Sequence, residues 1–181
     1  MPEIGEEVVG AYLKECLHCD FVEYNYDLGF KQAECDVVGA SIADSLIYFC
    51  EVATHTGGLQ YVDPRTRKPA TYERLLKKFT NDIEFAKKQF PSFRHQFMFW
   101  SPVVKVSREG AKYDAVAELK RLIADFERSH GAEIKLVINE EYADKLCRLR
   151  EIALHKGADS AFSIVRFLQI EESLKRYLRR T

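Results

Sequence analysis

The sequence lacks an uncharged apolar run long enough to span a bilayer. Its first ten residues, MPEIGEEVVG, contain no basic segment followed by an apolar one, so no secretory signal is predicted. Glycine and proline are scarce, with 9 and 5 among 181 residues, which argues against a low-complexity or linker-rich chain. We therefore expect a folded protein that is cytoplasmic and does not interact with a membrane.

The sequence also lacks a large net charge and a cysteine framework. The formal net charge is −1, so no overall positive field attracts nucleic acid, and any such binding needs a local basic patch. Five cysteines are an odd number, and only Cys16 and Cys19 form a short-spaced pair. Zinc sites usually need a second such pair. The cysteines therefore fit reduced thiols in a cytosol better than disulfides.

The periodicity of the chain predicts an α/β fold in one domain, residues 1–181, with a core at about 3–106 and a C-terminal α-β-α-α extension at about 112–181. The extension makes the C-terminal part mostly helical. The expected helices cover about 3–17, 72–90, 112–129, 139–156 and 160–180, and the expected strands about 20–26, 34–39, 46–53, 95–100 and 133–138. The core order is therefore αβββαβ, which favours a mixed sheet with helices on both faces.

Two carboxylates interrupt the apolar strands at 34–39 and 46–53. Asp36 lies in the first strand and Glu51 in the second. An ionised carboxylate in a core strand is costly unless a partner compensates it. Alternation places Glu34, Asp36 and Val38 on one face of the first strand. The same rule places Phe49, Glu51, Ala53 and His55 on one face of the second strand. If Asp36 and Glu51 point to the same side, they converge on a site suited to Mg²⁺ or Mn²⁺.

These residues resemble the signature of the PD-(D/E)XK nuclease superfamily, an Asp at the end of one strand and Glu-x-Lys on the next. Asp36 is followed fifteen residues later by Glu51. Small nuclease-like members of the superfamily carry a Gly-Glu-x-Asp-hydrophobic stretch, which corresponds to AECDV at 33–37, and a Glu-Val-Lys-Thr, which corresponds to EVAT at 51–54. The family also places a Glu seven residues ahead of a Leu on the preceding helix, and Glu6 and Leu13 match that spacing. The resemblance covers roughly residues 5–105.

The resemblance implies a restriction-endonuclease-like αβββαβ core and metal-dependent hydrolysis of phosphodiester bonds, most simply in DNA. In the family's pattern, Asp36, Glu51 and the carbonyl of Val52 would hold Mg²⁺ (or Mn²⁺), and Glu6 would help directly or through water. The metal polarises the phosphate and lowers the pKa of a bound water. The resemblance thus predicts a nuclease with catalytic carboxylates at these positions.

The sequence departs from the family at the lysine, because Ala53 occupies that position. Three substitutes are open: His55 on the same strand face, Lys77 or Lys78 on the following helix, or Lys14 two turns beyond Glu6. We place His55 first, because a neutral imidazole can accept a proton near pH 7. The alternative is that nothing replaces the lysine. The chain would then be a catalytically silent module that binds nucleic acid or a partner protein.

The segment that follows the strand of Glu51 in the sequence has a local excess of positive charge. It predicts phosphate contacts with DNA, whereas the alternative is a solvated loop and helix face. The sequence leaves open whether the chain forms a homodimer or binds a partner protein. The basic residues chosen as DNA-binding candidates are Arg65, Arg67, Lys68, Lys77 and Lys78.

Four further expectations concern the second half of the chain. Asn139 is expected to cap the helix that follows it. The segment 103–106 is expected to continue the preceding strand as an edge. Trp100 is expected in the core, and the alternative is that it stacks on a base. The last helix shows an apolar face formed by Phe167, Ile170, Leu174 and Tyr177.

Overall fold

A computed structural model describes residues 2–30, 33–108, 113–155 and 160–179. Within these ranges the helices are α1 (Ile4–Cys16), α2 (Thr71–Gln89), α3 (Ala115–His130), α4 (Asn139–His155) and α5 (Ser163–Leu178). The strands are β1 (Phe21–Asp27), β2 (Glu34–Ser41), β3 (Leu46–Val52), β4 (Arg94–Ser101) and β5 (Ile134–Ile138). The expected limits of the extension, residues 112 and 181, and the expected ends of the last two helices, residues 156 and 180, lie outside the described ranges.

The five strands form one mixed sheet in the order β1-β2-β3-β4-β5. The pairs β1–β2 and β2–β3 are antiparallel, and the pairs β3–β4 and β4–β5 are parallel. Helix α2 makes the crossover between the parallel strands β3 and β4. The expected α/β class with a mixed sheet flanked by helices is therefore confirmed. Throughout the described ranges, each helix is too short or too polar to cross a membrane.

The sheet has a hydrophobic core on each face. Phe79 of α2 and Phe126 of α3 pack on one face, together with Phe97 of β4. Helices α1, α4 and α5 cover the other face. There Trp100 is fully buried, with its ring 5.4 Å from that of Tyr12. Trp100 is therefore a core residue, which confirms the expectation that places it in the core and excludes the alternative of stacking on a base.

The regular ladder is interrupted around Asp36. Pairing between β2 and β3 ends at Val37 and Cys50, one step before Asp36 would face Glu51. The β1–β2 pairing also omits Asp36 and its neighbour Asn25, whose φ is 49°. Cys35 packs on the α2 face while Val37 packs on the α1 face, although residues two apart normally share a face. The expected alternation through Asp36 is therefore broken at the place where a carboxylate enters the strand.

Two expectations for the second half of the chain are wrong. The side chain of Asn139 does not cap its helix: its Oδ1 accepts a hydrogen bond from the Val104 N–H at 2.8 Å, and its Nδ2 donates to the Val104 carbonyl at 2.9 Å. Residues 103–106 do not continue β4 as an edge strand. Instead, the Leu59 N–H donates to the Val103 carbonyl. Tertiary hydrogen bonds thus replace both the cap and the strand.

Helix α5 does not bury the apolar face that its sequence suggested. It packs through Ile164, Val165 and Leu168, which are buried. The suggested face is exposed, with Phe167 at 60% and Tyr177 at 64% of their maximum accessibility. The helix carries apolar residues on more than one side, and the sequence alone does not decide which side meets the core.

Candidate functional site

Two strands and one helix bring Asp36, Glu51 and Lys78 together. The Nζ of Lys78 lies 2.8 Å from Oδ1 of Asp36 and also contacts Oε2 of Glu51. Helix α2 supplies the lysine because its apolar stripe faces the sheet and Lys78 borders that stripe, next to the buried Phe79. The two carboxylates on neighbouring strands therefore converge on one positively charged atom.

The break in the ladder fixes the orientation of Asp36. Its Oδ2 accepts a hydrogen bond from the Val52 N–H at 2.7 Å. The next N–H, that of Ala53, donates to the Trp100 carbonyl of β4. Asp36 thus takes the place of a backbone acceptor where β2 and β3 separate. Its other oxygen is left to face Lys78.

Glu51 is almost completely buried, at 1% accessibility. Burial raises its pKa well above the ordinary range, and the negative charges of Asp82 and Asp36 add to this effect. Lys78 acts in the opposite direction. Within the described residues, Oε1 of Glu51 has no hydrogen-bond partner. One oxygen of Glu51 therefore faces the lysine, and the other is buried without compensation.

Lys78 is held in its charged form. Burial lowers the pKa of Lys78, but the carboxylates of Glu51 and Asp36 outweigh burial and raise it above its usual range. A lysine with a raised pKa stays protonated at neutral pH. In this arrangement Lys78 can stabilise negative charge and donate hydrogen bonds, and it cannot serve as a general base.

Glu6 lies at the start of α1 and is buried. Its Oε2 accepts hydrogen bonds from the Glu3 N–H at 2.8 Å and from Nδ2 of Asn25 at 3.4 Å. Burial raises the pKa of Glu6, the bond from Glu3 opposes this, and the charge of Asp36 raises it further. Glu6 thus has a structural role in the first turn of α1 while its carboxylate lies within electrostatic reach of Asp36.

A deeper layer of the site contains Asp82 and Cys35. Asp82 lies one helical turn after Lys78 on α2, and both it and Cys35 are fully buried. Ligand atoms of Cys35, Glu51 and Asp82 all lie within 4.8 Å of one another. Among the described residues, neither carboxylate oxygen of Asp82 has a hydrogen-bond partner. Burial raises the pKa of Asp82 to about 8, with Lys78 opposing and Asp36 reinforcing the shift.

The other expected substitutes for the missing lysine lie elsewhere. Strand β3 ends at Val52, so the alternation invoked for His55 does not extend to it, and His55 is exposed. Lys14 donates to the Asp20 carbonyl at 3.0 Å. Ala53, at the family's lysine position, is buried in the core on the α2 face. The one substitute that the structure brings to the two carboxylates, among the residues it describes, is Lys78.

The basic residues chosen from the sequence divide into two groups. Lys78 belongs to the carboxylate site, whereas Lys77 is exposed on α2. Arg65, Arg67 and Lys68 are exposed in the loop between β3 and α2. That loop folds back on itself through a bridge between residues 62 and 69. The exposed basic residues therefore lie outside the core, on segments that flank the carboxylate site in the chain.

Tyr61 joins this loop to the site and was not anticipated from the sequence. Its ring lies 5.3 Å from the ring of His55 and 4.7 Å from the guanidinium carbon of Arg74. Burial raises the pKa of Tyr61, and the charges of Lys78 and Asp36 act on it in opposite directions. Tyr61 therefore lies within electrostatic reach of Lys78 and Asp36 and contacts two residues outside that site, His55 and Arg74.

Asp82, Cys35 and Asn25 were also missed from the sequence. The burial of Asp82 could have been predicted from the sequence. A residue seven positions after Leu75 lies on the same face of a helix, so Asp82 places a carboxylate within the apolar stripe of α2. Cys35 reads as a small hydrophobic residue in a strand, and Asn25 as an ordinary polar residue. Only their tertiary contacts show that they line the site.

No family model, curated protein or solved structure gives a significant match to this chain. Hard carboxylate oxygens beside a fixed ammonium group can bind a divalent cation and a phosphate together.

Proposed function

We propose that the chain is a metal-dependent nuclease of the PD-(D/E)XK type, in which Lys78 on α2 replaces the lysine missing at Ala53. The observation that carries this proposal is the contact of one ammonium group with both Asp36 and Glu51. The resemblance in sequence rests on the acidic residues of the motif. Lys78 adds the positive charge that the motif requires, from a different element.

The donor set fits Mg²⁺ or Mn²⁺. Asp36 and Glu51 converge on a single cation, the Lys78 ammonium, so their oxygens already point to a position of positive charge. Both ions prefer oxygen ligands, and the family's pattern would add the carbonyl of Val52, the last residue of β3. A bound ion supplies Lewis-acid polarisation of the phosphate and a water of lowered pKa.

The residues of this chain have separate roles in the proposal. Asp36, held by the Val52 N–H, and Glu51 orient the metal-binding oxygens. Lys78 stays protonated, so it stabilises the charge that develops on the phosphate and orients the attacking water by donation. Glu6 contributes negative charge from α1, directly or through a water, while its Oε2 is engaged by Glu3 and Asn25.

The order of elements supports the proposal without deciding it. The segment from α1 to β4 follows the αβββαβ order of the superfamily core. The change from antiparallel to parallel pairing occurs at β3, the strand that carries Glu51. The carboxylates lie where the pairing of β2 with β3 ends, so the site is located at a break in the sheet and not between two regularly paired strands.

The proposal predicts Mn²⁺-supported cleavage of DNA that depends on the two carboxylates. Asp36→Asn and Glu51→Gln remove a negative charge with little change of shape. Each should weaken Mn²⁺ binding by at least about tenfold and abolish detectable cleavage, because a carboxylate ligand is removed. Calorimetric titration with Mn²⁺ and cleavage of labelled single- and double-stranded DNA measure the two effects.

Glu34→Gln is the matched control, because Glu34 is an exposed carboxylate on the same strand as Asp36. It should bind Mn²⁺ and cleave DNA like the unaltered protein. Equal Mn²⁺ binding by the unaltered protein and by an Asp36→Asn, Glu51→Gln double variant would reject the site. Binding of Mn²⁺ and DNA with no cleavage would favour the silent module.

A second prediction concerns the exposed basic residues. If Arg65, Arg67, Lys68 and Lys77 bind phosphates, the affinity for duplex DNA should fall with rising salt. Each change to Gln should reduce the slope of log affinity against log salt by about 0.9 for every phosphate that the residue had neutralised. Fluorescence anisotropy at several salt concentrations measures the slope, and the exposed Lys120 of α3, changed to Gln, is the control. An unchanged slope in the four-residue variant would assign these residues to a solvated surface.

A further inference from the structure

The deeper layer of the site contains buried acid groups that the proposed nuclease chemistry does not use. Asp82 is fully buried, and neither of its oxygens has a partner among the described residues. Oε1 of Glu51 is also buried and has no hydrogen-bond partner among the described residues. Buried carboxylate oxygens are normally hydrogen-bonded or bound to a cation, because leaving them unpaired in a low dielectric is costly. Two adjacent carboxylates in this state need a positive partner, either a proton held between them or a metal cation.

The charges around this layer do not balance. Asp36, Glu51 and Asp82 supply three carboxylates, and Lys78 is the cation that pairs with them in the described part of the chain. Lys78 is committed to Asp36 and to Oε2 of Glu51, rather than to the unpartnered oxygens. When all three carboxylates are ionised, the cluster has an excess of two negative charges, which matches the charge of one divalent cation.

The geometry also fits a cation. Ligand atoms of Cys35, Glu51 and Asp82 lie within 4.8 Å of one another. Two ligands of a tetrahedral ion with bonds of 2.0–2.3 Å are roughly 3.5 Å apart, so small side-chain movements would close the site. The Cys35 thiol makes only long hydrogen bonds, at 3.6 Å to the Val37 carbonyl and 3.7 Å to the Cys50 carbonyl. These bonds are weak enough for a metal to displace.

We propose that Cys35, Glu51 and Asp82 form a second metal site, behind the Asp36–Lys78 layer, for a divalent ion of the Zn²⁺ or Co²⁺ class. A thiolate with two carboxylates suits such borderline ions, whereas Mg²⁺ avoids sulfur. Binding requires that the Cys35 thiol release its proton, and the ion compensates the resulting charge. Glu51 joins the two layers, since Oε2 faces Lys78 and Oε1 is the oxygen available to the inner ion.

The site holds its ligands on rigid elements. Cys35 and Glu51 lie on the adjacent strands β2 and β3, and Asp82 lies on α2, which packs directly over them. The proposal does not depend on nuclease activity, because none of its ligands except Glu51 belongs to the catalytic layer. The inner ion would fix Glu51 in place and tie α2 to the sheet.

Titration of chelator-treated protein with Co²⁺ tests the inner site. A thiolate bound to Co²⁺ gives a near-ultraviolet charge-transfer band that oxygen ligands do not give. We expect the band to saturate at one Co²⁺ per chain and to be absent in Cys35→Ser. Asp82→Asn should weaken Co²⁺ binding by at least about tenfold, since even the loss of a supporting hydrogen-bond partner costs roughly that much.

Two controls separate the inner site from its alternatives. Cys50→Ser alters an equally buried cysteine on β3 and should keep the band, and circular dichroism verifies that each variant is folded. Asp36→Asn should lose cleavage and keep the band, because Asp36 is not an inner ligand. Absence of the band in the unaltered protein, or its persistence in Cys35→Ser, overturns the inner site. Either result leaves Mn²⁺ binding and cleavage as the separate test of the nuclease.

Discussion

Substitution of Lys78 by methionine is expected to lower Mn²⁺-supported DNA cleavage by about 10²–10³-fold, the effect of removing one preorganised donor from a reacting oxyanion. Methionine keeps much of the length of the side chain and removes its charge. The ammonium of Lys78 is the group held at both carboxylates, and its raised pKa keeps it protonated. Its loss should therefore act on the chemical step.

The same substitution should leave Mn²⁺ binding intact or strengthen it. Lys78 places a positive charge against Asp36 and Glu51, so it opposes a second cation in the same position. A loss of cleavage with unweakened Mn²⁺ binding separates a role in the reaction from a role in holding the metal. Calorimetric titration and single-turnover cleavage of the same preparation provide the two measurements.

Lys77 offers a matched control, because it is the preceding residue on α2 and is exposed. Lys77→Met should keep its cleavage rate at saturating DNA. Ala53→Lys should restore part of the activity of Lys78→Met, since it returns the charge from the residue that follows β3. Undiminished cleavage by Lys78→Met would reject Lys78 and return the role to His55, which His55→Ala then tests.

Replacement of Asp82 by asparagine is expected to flatten the pH dependence of stability in the metal-free protein. Burial raises the pKa of Asp82 to about 8, against about 3.9 in the unfolded chain. Between these values the folded state binds more protons than the unfolded state. The stability associated with Asp82 is thus fully present below about pH 4 and is lost as the pH rises to about 8.

The maximum slope is about 1.4 kcal/mol of unfolding free energy for each pH unit. Asp82→Asn removes this titration, so its stability relative to the unaltered protein should rise steadily from pH 5 to pH 8. The groups that act on Asp82 are Glu51, Cys35, Lys78 and Asp36. Glu51 also has a raised pKa, so we assign to Glu51 the dependence of stability on pH that remains in Asp82→Asn.

Urea unfolding in the presence of a chelator, at half-unit steps of pH, measures this effect. Asp144→Asn is the control, because Asp144 is exposed on α4. If the unfolding free energies of the unaltered protein and of Asp82→Asn change with pH in parallel, the raised pKa of Asp82 is contradicted. Addition of Zn²⁺ or Co²⁺ should flatten the profile of the unaltered protein as well, if the inner site binds the ion.

The strands of the core could be predicted because their residues and turns act locally. The β-branched and aromatic runs at 34–39 and 46–53 mark β2 and β3, and Ala43, Asp44 and Ser45 mark the turn between them. The approach of Asp36 to Glu51 followed from antiparallel pairing. The choice among Lys14, His55 and Lys78 could not be made, because it depends on the rotation of α2 about its axis and on where β3 ends.

Other features depend on tertiary contacts, which the alternation of residues in a strand and the caps of a helix do not reveal. Alternation predicts that Cys35 and Val37 share a face, but the irregular pairing at Asn25 and Asp36 separates them. Asn139 has the residue type of a cap and instead binds Val104 on both its amide atoms. In each case a polar side chain satisfies a distant backbone group, and this tertiary gain outweighs the local preference.

The packing of α1 has a consequence for the order in which the protein matures during synthesis. All residues of the proposed catalytic layer lie between positions 6 and 78, so they leave the ribosome early. Helix α1, however, packs against α4 and α5, and Oε1 of Glu7 accepts a hydrogen bond from the Ile164 N–H, 157 positions away. Closing so long a loop is entropically costly until both partners are present. The final packing of α1, which carries Glu6, therefore requires a segment that is synthesised 157 residues after Glu7.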